Sequence, residues 1–526
     1  MRRSLQIGWK AVIAAGLLLT LIWPALYNGQ PIFNPDTPSY IRTADAGIAK
    51  LTGRETVWSA RWQTATTSTQ PSSASEVLPQ NIGALHPDFV LTGRSIYYGA
   101  LLYFGDAVGY LWPSIVIQAA VVLLALGLTL RNMGLFSWRL MAIAVGGLAV
   151  LSPLPFYTSL LIPDIFAGVA ILATANLVVF GGRMTRSLLF VWVILLTAAL
   201  SFHESIVPIT VGLLCIGLVA HLLGWDACRA GIVAVVLALA LAAAGEAAFT
   251  QSVKKVMGIY PIRPPFLMAR LIADGPGTAY LRANCPQAGF TICRYLDRLW
   301  AGNPSDRSEA FLWGADVANG AVFMTVDAAT RRALSDEQLS FALATVAFDP
   351  IGEIKAAAYD VFHQLGMIGA GRWFEYAISA DSFRERVPSP YFEVMEKTKA
   401  WSGDLPTTSM SVLSPLVALA AMVYLLVMVT WRRKQSTATP WLFTTIIISG
   451  IIFNAAVCGA ISGPHYRYQT RVIWLIPLTA FLMHYNRRVT SLNEHLDDLR
   501  TVRYSGSPDG RFVPESPIEA ARIISL

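Results

Sequence analysis

Four polar constellations interrupt an otherwise apolar chain. The first is Asp36 in FNPDTPSYI, bracketed by Pro35 and Pro38 and followed four residues later by Tyr40. The others are Asp164 in SLLIPDIFAG, His203-Glu204 in ALSFHESIVPI, and the cluster GPHYRYQTR at 463–471. A positioned carboxylate can take a proton from an attacking hydroxyl or amine. Two guanidinium groups on one face form a fork that suits a phosphate or pyrophosphate. If the chain is helical from Tyr466, Arg467 and Arg471 lie four apart on one face, with Tyr468 and His465 beside them. Carboxylates at one end and arginines at the other describe a site that removes a proton and holds an anionic leaving group, which is what a lipid-phosphate-linked donor requires.

Each constellation also has a plainer reading. Asp36 or Thr37 can cap a helix that begins at Pro38, and Asp164 can cap the apolar run that follows it. His203 and Glu204 can form a hydrogen-bonded pair bridging two spans. GPHYRYQTR can be a hydrated basic turn, a weaker reading because nothing in topology places arginines on the outer face.

The elements that must position these residues are membrane helices. The chain has 526 residues, 54% hydrophobic and only 14% charged, with a mean hydropathy of +0.51, a combination that points to an all-α polytopic membrane protein. Apolar runs of the length needed to cross a bilayer, roughly 17 to 25 residues, are expected near 8–28, 112–130, 138–156, 165–181, 187–202, 205–223, 230–250, 410–430, 440–459 and 471–485, about ten transmembrane helices. The first run follows Arg2 and Arg3 as in a signal peptide, but PALYNGQ offers no small-x-small cleavage site, so it reads as a retained helix. Arg2, Arg3, Lys10, Arg131, Arg139, Arg183, Arg186, Arg229, Arg432, Arg433, Lys434, Arg487 and Arg488 all fall on one side if there are ten spans, which makes that side cytoplasmic and leaves both termini there. All four constellations then lie at the outer ends of spans. Ionisable groups at such depth are functional candidates. The net charge of +7 follows from this cytoplasmic bias and implies no nucleic-acid partner.

Four segments follow: an N-terminal transmembrane bundle over 1–250 with its first outer loop at 29–94, a mostly helical outer (periplasmic) domain over 251–409 between spans seven and eight, C-terminal transmembrane helices over 410–485, and a cytoplasmic tail over 486–526. The Ser-, Thr- and Pro-rich stretch 64–80 reads as a flexible loop. Cys285 and Cys293, in NCPQAGFTIC, are close enough in an oxidising compartment to form a local disulfide, and no neighbouring His or Cys pair suggests a metal there. Cys215, Cys228 and Cys458 read as small core residues.

An acidic residue in the first outer loop, a second aspartate at the turn before the fourth span (Pro163-Asp164) and an Arg-Tyr pair at the outer end of a late span (Arg467-Tyr468) together resemble the GT-C superfamily of polytopic glycosyltransferases. That superfamily uses polyprenyl-phosphate sugars and includes the protein mannosyltransferases and the aminoarabinose transferases of lipid A. The resemblance implies Asp36 as general base in an inverting displacement, Asp164 orienting the acceptor or a metal, and Arg467 and Arg471 with His465 holding the departing lipid phosphate. Tyr40, His203, Glu204 and Tyr468 are further substrate-site candidates. Some members need a divalent ion and others do not; the lone Asp36 favours no obligatory metal. The partners implied are a polyprenyl-phosphate-linked sugar, a lipid, glycan or protein acceptor, and the lipid bilayer, in a bacterial inner membrane. The alternative is a polytopic transporter or flippase of a lipid-linked or small anionic substrate, for which charges near the midplane and inverted repeats are expected. A structural assembly factor is a third reading.

Overall fold

The computed structural model describes residues 2–58, 85–86, 89–301, 307–370, 376, 380–430 and 438–505. The expected flexible loop at 64–80 and the tail beyond 505 lie outside these. The protein is an all-α membrane protein. Among the described residues the only strands are the two-residue pair Leu85–His86 and Phe89–Val90. Among the described residues five helices are long and apolar enough to cross a membrane: Trp112–Asn132, Ile165–Arg183, Arg229–Met257, Met410–Thr430 and Thr439–Ser462. Shorter apolar helices cover Gly8–Leu21, Trp138–Leu151, Arg186–Phe202 and Ile206–Leu222.

Proline accounts for two differences from the expected spans. The run 8–28 is broken, with one helix ending at Leu21 and another covering Trp23–Asn28. Pro24 has no N–H to continue the ladder and its ring collides with the preceding turn. The run 138–156 likewise ends at Leu151, and Leu154–Ser159 forms a separate short helix after Ser152-Pro153. The helix Ile96–Gly109 was not anticipated. It is capped by Ser95, whose hydroxyl accepts from the Tyr98 N–H, and folds back on Trp112–Asn132 through Tyr110 and Leu111, both at positive φ. The expected run 471–485 is divided between Tyr466–Ile473 and a helix from Leu475 to Ser505.

Three contacts set the positions of the candidate residues. Every residue of the helix Ile165–Phe180 is buried, as a helix apolar all round must be, so its start at Asp164 is fixed by neighbours on all sides. A parallel bridge joins Ile32 to Leu160. In it the Ile32 N–H donates to the Ser159 carbonyl and the Leu161 N–H to that of Ile32, both at 2.9 Å, and the Thr37 hydroxyl donates to the Leu161 carbonyl at 2.9 Å. The segment before Asp36 is thereby tied to the segment before Asp164. Third, the helix Thr37–Thr52 lies against Ile96–Gly109 so closely at Gly99 that an added Cβ would sit 2.3 Å from the Tyr40 carbonyl oxygen. This contact brings Arg94 to Asp36.

Within 251–409, the helices Phe266–Asp274, Pro276–Asn284, Arg307–Trp313 and Ala328–Phe348 enclose their own core, which includes Met268, Ile272, Leu281, Phe311, Leu334 and Phe341. A disulfide joins Cys285 and Cys293 beside it. Of the other cysteines, Cys458 is buried, whereas Cys215 is exposed. The Cys228 sulfur accepts from the Gly231 N–H at the start of Arg229–Met257, so it serves as a helix cap and is not simply core.

Gly99→Ala is expected to lower stability by about 1–3 kcal/mol through overpacking, because the obstacle is backbone rather than a mobile side chain. Thermal unfolding in detergent measures it. A melting temperature equal to wild type would show that the two helices separate without penalty.

Candidate functional site

Asp36 and Asp164 both stand at the N-cap position of a helix, and neither caps it. Each has αR backbone angles, and neither side chain accepts from the helix N–H groups. The carboxylates turn to arginines instead. Asp36 Oδ1 takes Arg94 Nη2 at 2.5 Å and its Oδ2 takes Arg467 Nη1 at 3.0 Å. Asp164 Oδ2 lies 2.9 Å from Arg467 Nε, and its Oδ1 takes Arg471 Nη1 at 2.9 Å. Charges therefore alternate along Arg94, Asp36, Arg467, Asp164 and Arg471. The two aspartates also sit at the positive ends of two helix dipoles.

The helix Tyr466–Ile473 carries Arg467 and Arg471, and residues of the segment 251–409 clamp it. The Gln364 side-chain amide donates to the His465 carbonyl at 2.9 Å and accepts from the His465 N–H at 2.8 Å. The Thr470 hydroxyl makes the same double contact with the Gly369 backbone, 2.8 Å each way. Tyr157 donates its hydroxyl to the Arg467 carbonyl at 2.9 Å, and Asn454 its amide to that of Tyr468 at 2.8 Å. The Tyr468 ring lies beneath both guanidiniums, 5.1 Å from Arg467 and 5.3 Å from Arg471.

A cavity of about 570 Å³ opens beside this chain of charges. Asp36, Tyr40, Arg94, Arg467, His203, Glu204, His465 and Tyr468 line it, with an apolar side that includes Phe266, Trp313 and Ile461. Arg471 and Asp164 do not line it. Arg471 is fully buried, and beyond Asp164 its N–H groups go to Asn454 Oδ1, Ser205 Oγ and Cys458 Sγ. The expected phosphate fork of Arg467 and Arg471 is thus closed on Asp164, and this corrects the expectation for Arg471: its donors are used inside the protein. The two guanidiniums that hold Asp36, Arg94 and Arg467, both line the cavity.

Burial opposes ionisation of Asp36, but Arg94 and Arg467 outweigh it and hold the carboxyl well below the usual carboxylate range. Asp164 is lowered in the same way, with Arg467 and Arg471 outweighing burial. Burial, reinforced by the Arg471 charge, pushes His203 down to about 3; burial and then Arg467 push His465 down to about 4. Both imidazoles are therefore neutral near pH 7. His465 can offer a phosphate a hydrogen bond but no charge. His203 Nδ1 lies 2.9 Å from Ser205 Oγ and its Nε2 lies 3.9 Å from Asp164, so its contacts run to these two and not to Glu204. Glu204 opens on the cavity, and enclosure by protein raises its pKa, partly offset by Arg263. Tyr40 is buried with its ring edge-on to Tyr98 at 5.1 Å.

Two arginines at the cavity were missed from the sequence, Arg94 in LTGRSIYY and Arg386, whose backbone carbonyl accepts from Arg42. The signal was available for Arg94: like Arg467 it is a guanidinium on the outer side of the expected topology, where orientation does not call for one. Among the described residues no three His, Cys, Asp or Glu side chains converge to hold a metal ion. Compared with protein-family models, curated proteins and solved structures, the chain matches none.

Removing one partner of a buried ion pair leaves an uncompensated charge and costs about 3–5 kcal/mol. Asp164, 1% exposed between two arginines, should show this loss in Asp164→Ala. Asp36→Ala should lose less, because that carboxylate is 20% exposed. The sign with pH follows from the lowered pKa: the Asp164 contribution is complete above the unfolded value of about 3.9 and fades as pH falls below it. The wild-type-minus-Asp164→Ala difference in melting temperature should hold constant from about pH 8 to 5 and shrink below about 4. A difference that already declines between pH 8 and 6 would contradict the pairing.

Proposed function

We propose that the protein is a membrane glycosyltransferase that moves a sugar from a polyprenyl-phosphate donor to an acceptor at the outer face of the membrane. In this reading the chain makes ten spans with both termini cytoplasmic in a bacterial inner membrane, and 251–409 stands on the periplasmic side. One observation carries the proposal: at the wall of a cavity, the two oxygens of one carboxylate are held by two different guanidiniums that both face the cavity. An incoming phosphate can displace Asp36 from Arg94 or Arg467 with little rearrangement, because one anion replaces another.

The chemistry is a single displacement. The acceptor oxygen or nitrogen attacks the anomeric carbon and forms the new bond. The bond from that carbon to the phosphate oxygen breaks, with inversion, and its electron pair leaves on the polyprenyl phosphate. The acceptor proton goes to Asp36. A carboxylate held by two guanidiniums is a weak base, and one that has lost a guanidinium to the phosphate is stronger. Donor binding thus activates the base. Arg94 and Arg467 then stabilise the charge on the departing phosphate, the electrostatic contribution usually largest in such transfers. Asp164 and Arg471 hold Arg467 in place and touch no substrate. Neutral His203 and His465 serve as hydrogen-bonding groups, and the apolar side of the cavity excludes water. The family resemblance leaves a divalent ion open, and no step here is assigned to one.

The test is a transfer assay with purified protein in nanodiscs, a panel of radiolabelled polyprenyl-phosphate sugars, membrane extract as acceptor source, and each arm run with and without Mg²⁺ or Mn²⁺. Loss of a positioned general base lowers the rate by about 10²–10⁴-fold, so Asp36→Asn should fall by that much. Arg94→Ala and Arg467→Ala should weaken donor use, and a neutral His465→Gln far less. Wild-type protein that consumes no donor under any of these conditions, or Asp36→Asn that retains full turnover, would overturn the reading.

A further inference from the structure

The helices Ala328–Phe348 and Pro350–Gly366 follow each other directly, and the second is inside out. Its buried face is polar. Asp360 is 4% exposed and accepts from Arg270 Nη2 at 2.5 Å, while Gln364 is fully buried on His465. Its outward face is apolar: Ile351, Ile354, Tyr359 and Phe362 are 65%, 70%, 69% and 74% exposed. Positions 351, 354 and 362 fall on one side of a helix and 359 borders them, with the exposed Lys355 between 362 and 359 as the one charge on that face. The last turns of the preceding helix add Leu339 and Leu343, 62% and 64% exposed. Scattered exposed apolar residues are ordinary, but a contiguous face of them marks an interaction surface.

We propose that this pair of helices, from about 339 to 362, lies in the outer leaflet with its apolar face against lipid acyl chains. Three observations select lipid as the occupant. The polar-in, apolar-out arrangement is what a hydrocarbon solvent imposes and what water penalises. The helix Pro350–Gly366 packs on the membrane-crossing helix Thr439–Ser462, where Gly459 comes so close to Asp360 that an added Cβ would lie 2.8 Å from its carbonyl oxygen. The helix that carries the apolar face is therefore fastened by its polar side to a candidate span, and that span also turns Ile452 outward, 46% exposed. Finally, Lys355 and His363 are exposed along the same helix. A second copy or a protein partner would have to bury them, whereas at a bilayer surface their polar ends reach the headgroups. Part of the segment between 251 and 409 is then a monotopic membrane element. It fixes the depth of Gln364, and through Gln364 the depth of the helix that carries Arg467. The choice of the outer leaflet rests on the topology proposed above, whereas the lipid contact itself does not depend on the transferase reading.

Nitroxide labels at Ile354→Cys and Phe362→Cys test it, each in the full chain with Cys215→Ala, reconstituted in nanodiscs of phosphatidylcholine and phosphatidylglycerol. Asn319→Cys, exposed on the outer segment, serves as the aqueous control. Collision with oxygen should exceed collision with a water-soluble nickel chelate at 354 and 362, and the order should reverse at 319. Nickel-dominated relaxation at 354 and 362 would overturn the proposal and leave a water-exposed face. Shielding from both reagents would overturn it in favour of a protein partner or a second copy. The unsubstituted protein gives an independent reading: a lipid-soluble photoreactive probe should label peptides spanning 339–362, and the absence of label there would count against lipid contact.

Discussion

A carboxylate that is 1% exposed at the start of a fully buried helix must have its charge compensated, and the structure around Asp164 is arranged to do so. An unpaired buried charge costs several kcal/mol, a large share of a typical domain's stability margin. Arg467 and Arg471 supply the compensation from one face of one helix, four residues apart. Because Arg471 is itself buried, its remaining donors need acceptors, and Asn454, Ser205 and Cys458 provide them. One buried charge thus determines the polar content of three other elements.

The same requirement links parts of the chain far apart in sequence. Arg467 and Asp36 are separated by 431 residues and are 3.0 Å apart. They meet because the strand-like bridge at Ile32 and Leu160 aligns the two aspartate segments, and because Gln364 and Gly369 grip the arginine helix at two points. In each grip one side chain holds both the N–H and the carbonyl of a single residue on the other segment, and two bonds at one residue tolerate less drift than one. A rigid second layer of this kind is what a site needs if its charged groups are to exchange partners without the framework moving.

Much of the site was legible in the sequence because polar residues in an apolar chain carry their own emphasis. Asp36, Asp164, Arg467 and Arg471 stood out for that reason, and the structure places them in one continuous set of ion pairs. Their division of labour was not legible. Spacing puts Arg467 and Arg471 on one helix face but cannot say which of them a carboxylate from another segment will occupy. Arg94 is hard to single out because the loop before it has no periodicity to draw attention to it, and the helix Ile96–Gly109 because its fourteen residues, Asp106 among them, fall short of a span. The disrupted runs at Pro24 and Pro153 are local chemistry that hydropathy averages over. The inverted helix at 350–366 has helical periodicity, so its presence was readable. Which face it buries was not, because that depends on whether its solvent is water or lipid.

Asp36 and Asp164 illustrate how similar pairs acquire different capacities. Each carboxylate is shared by two guanidiniums, each begins a helix, and each is held in its ionised form. The difference is access. Asp164 has both arginines beneath it and no opening to the cavity, so no ligand can compete for its partners, and it acts as a fixed anchor. Asp36 is 20% exposed, and both of its arginines reach the cavity wall, so an anion arriving there competes directly for them. Arg467 belongs to both pairs. In the proposed transfer, Arg467 stays fastened to Asp164 when it releases Asp36, which limits how far it can swing and keeps its charge within reach of the incoming ligand. A guanidinium tethered on one side and exchangeable on the other can pass from carboxylate to phosphate without leaving either charge stranded in a low-dielectric wall.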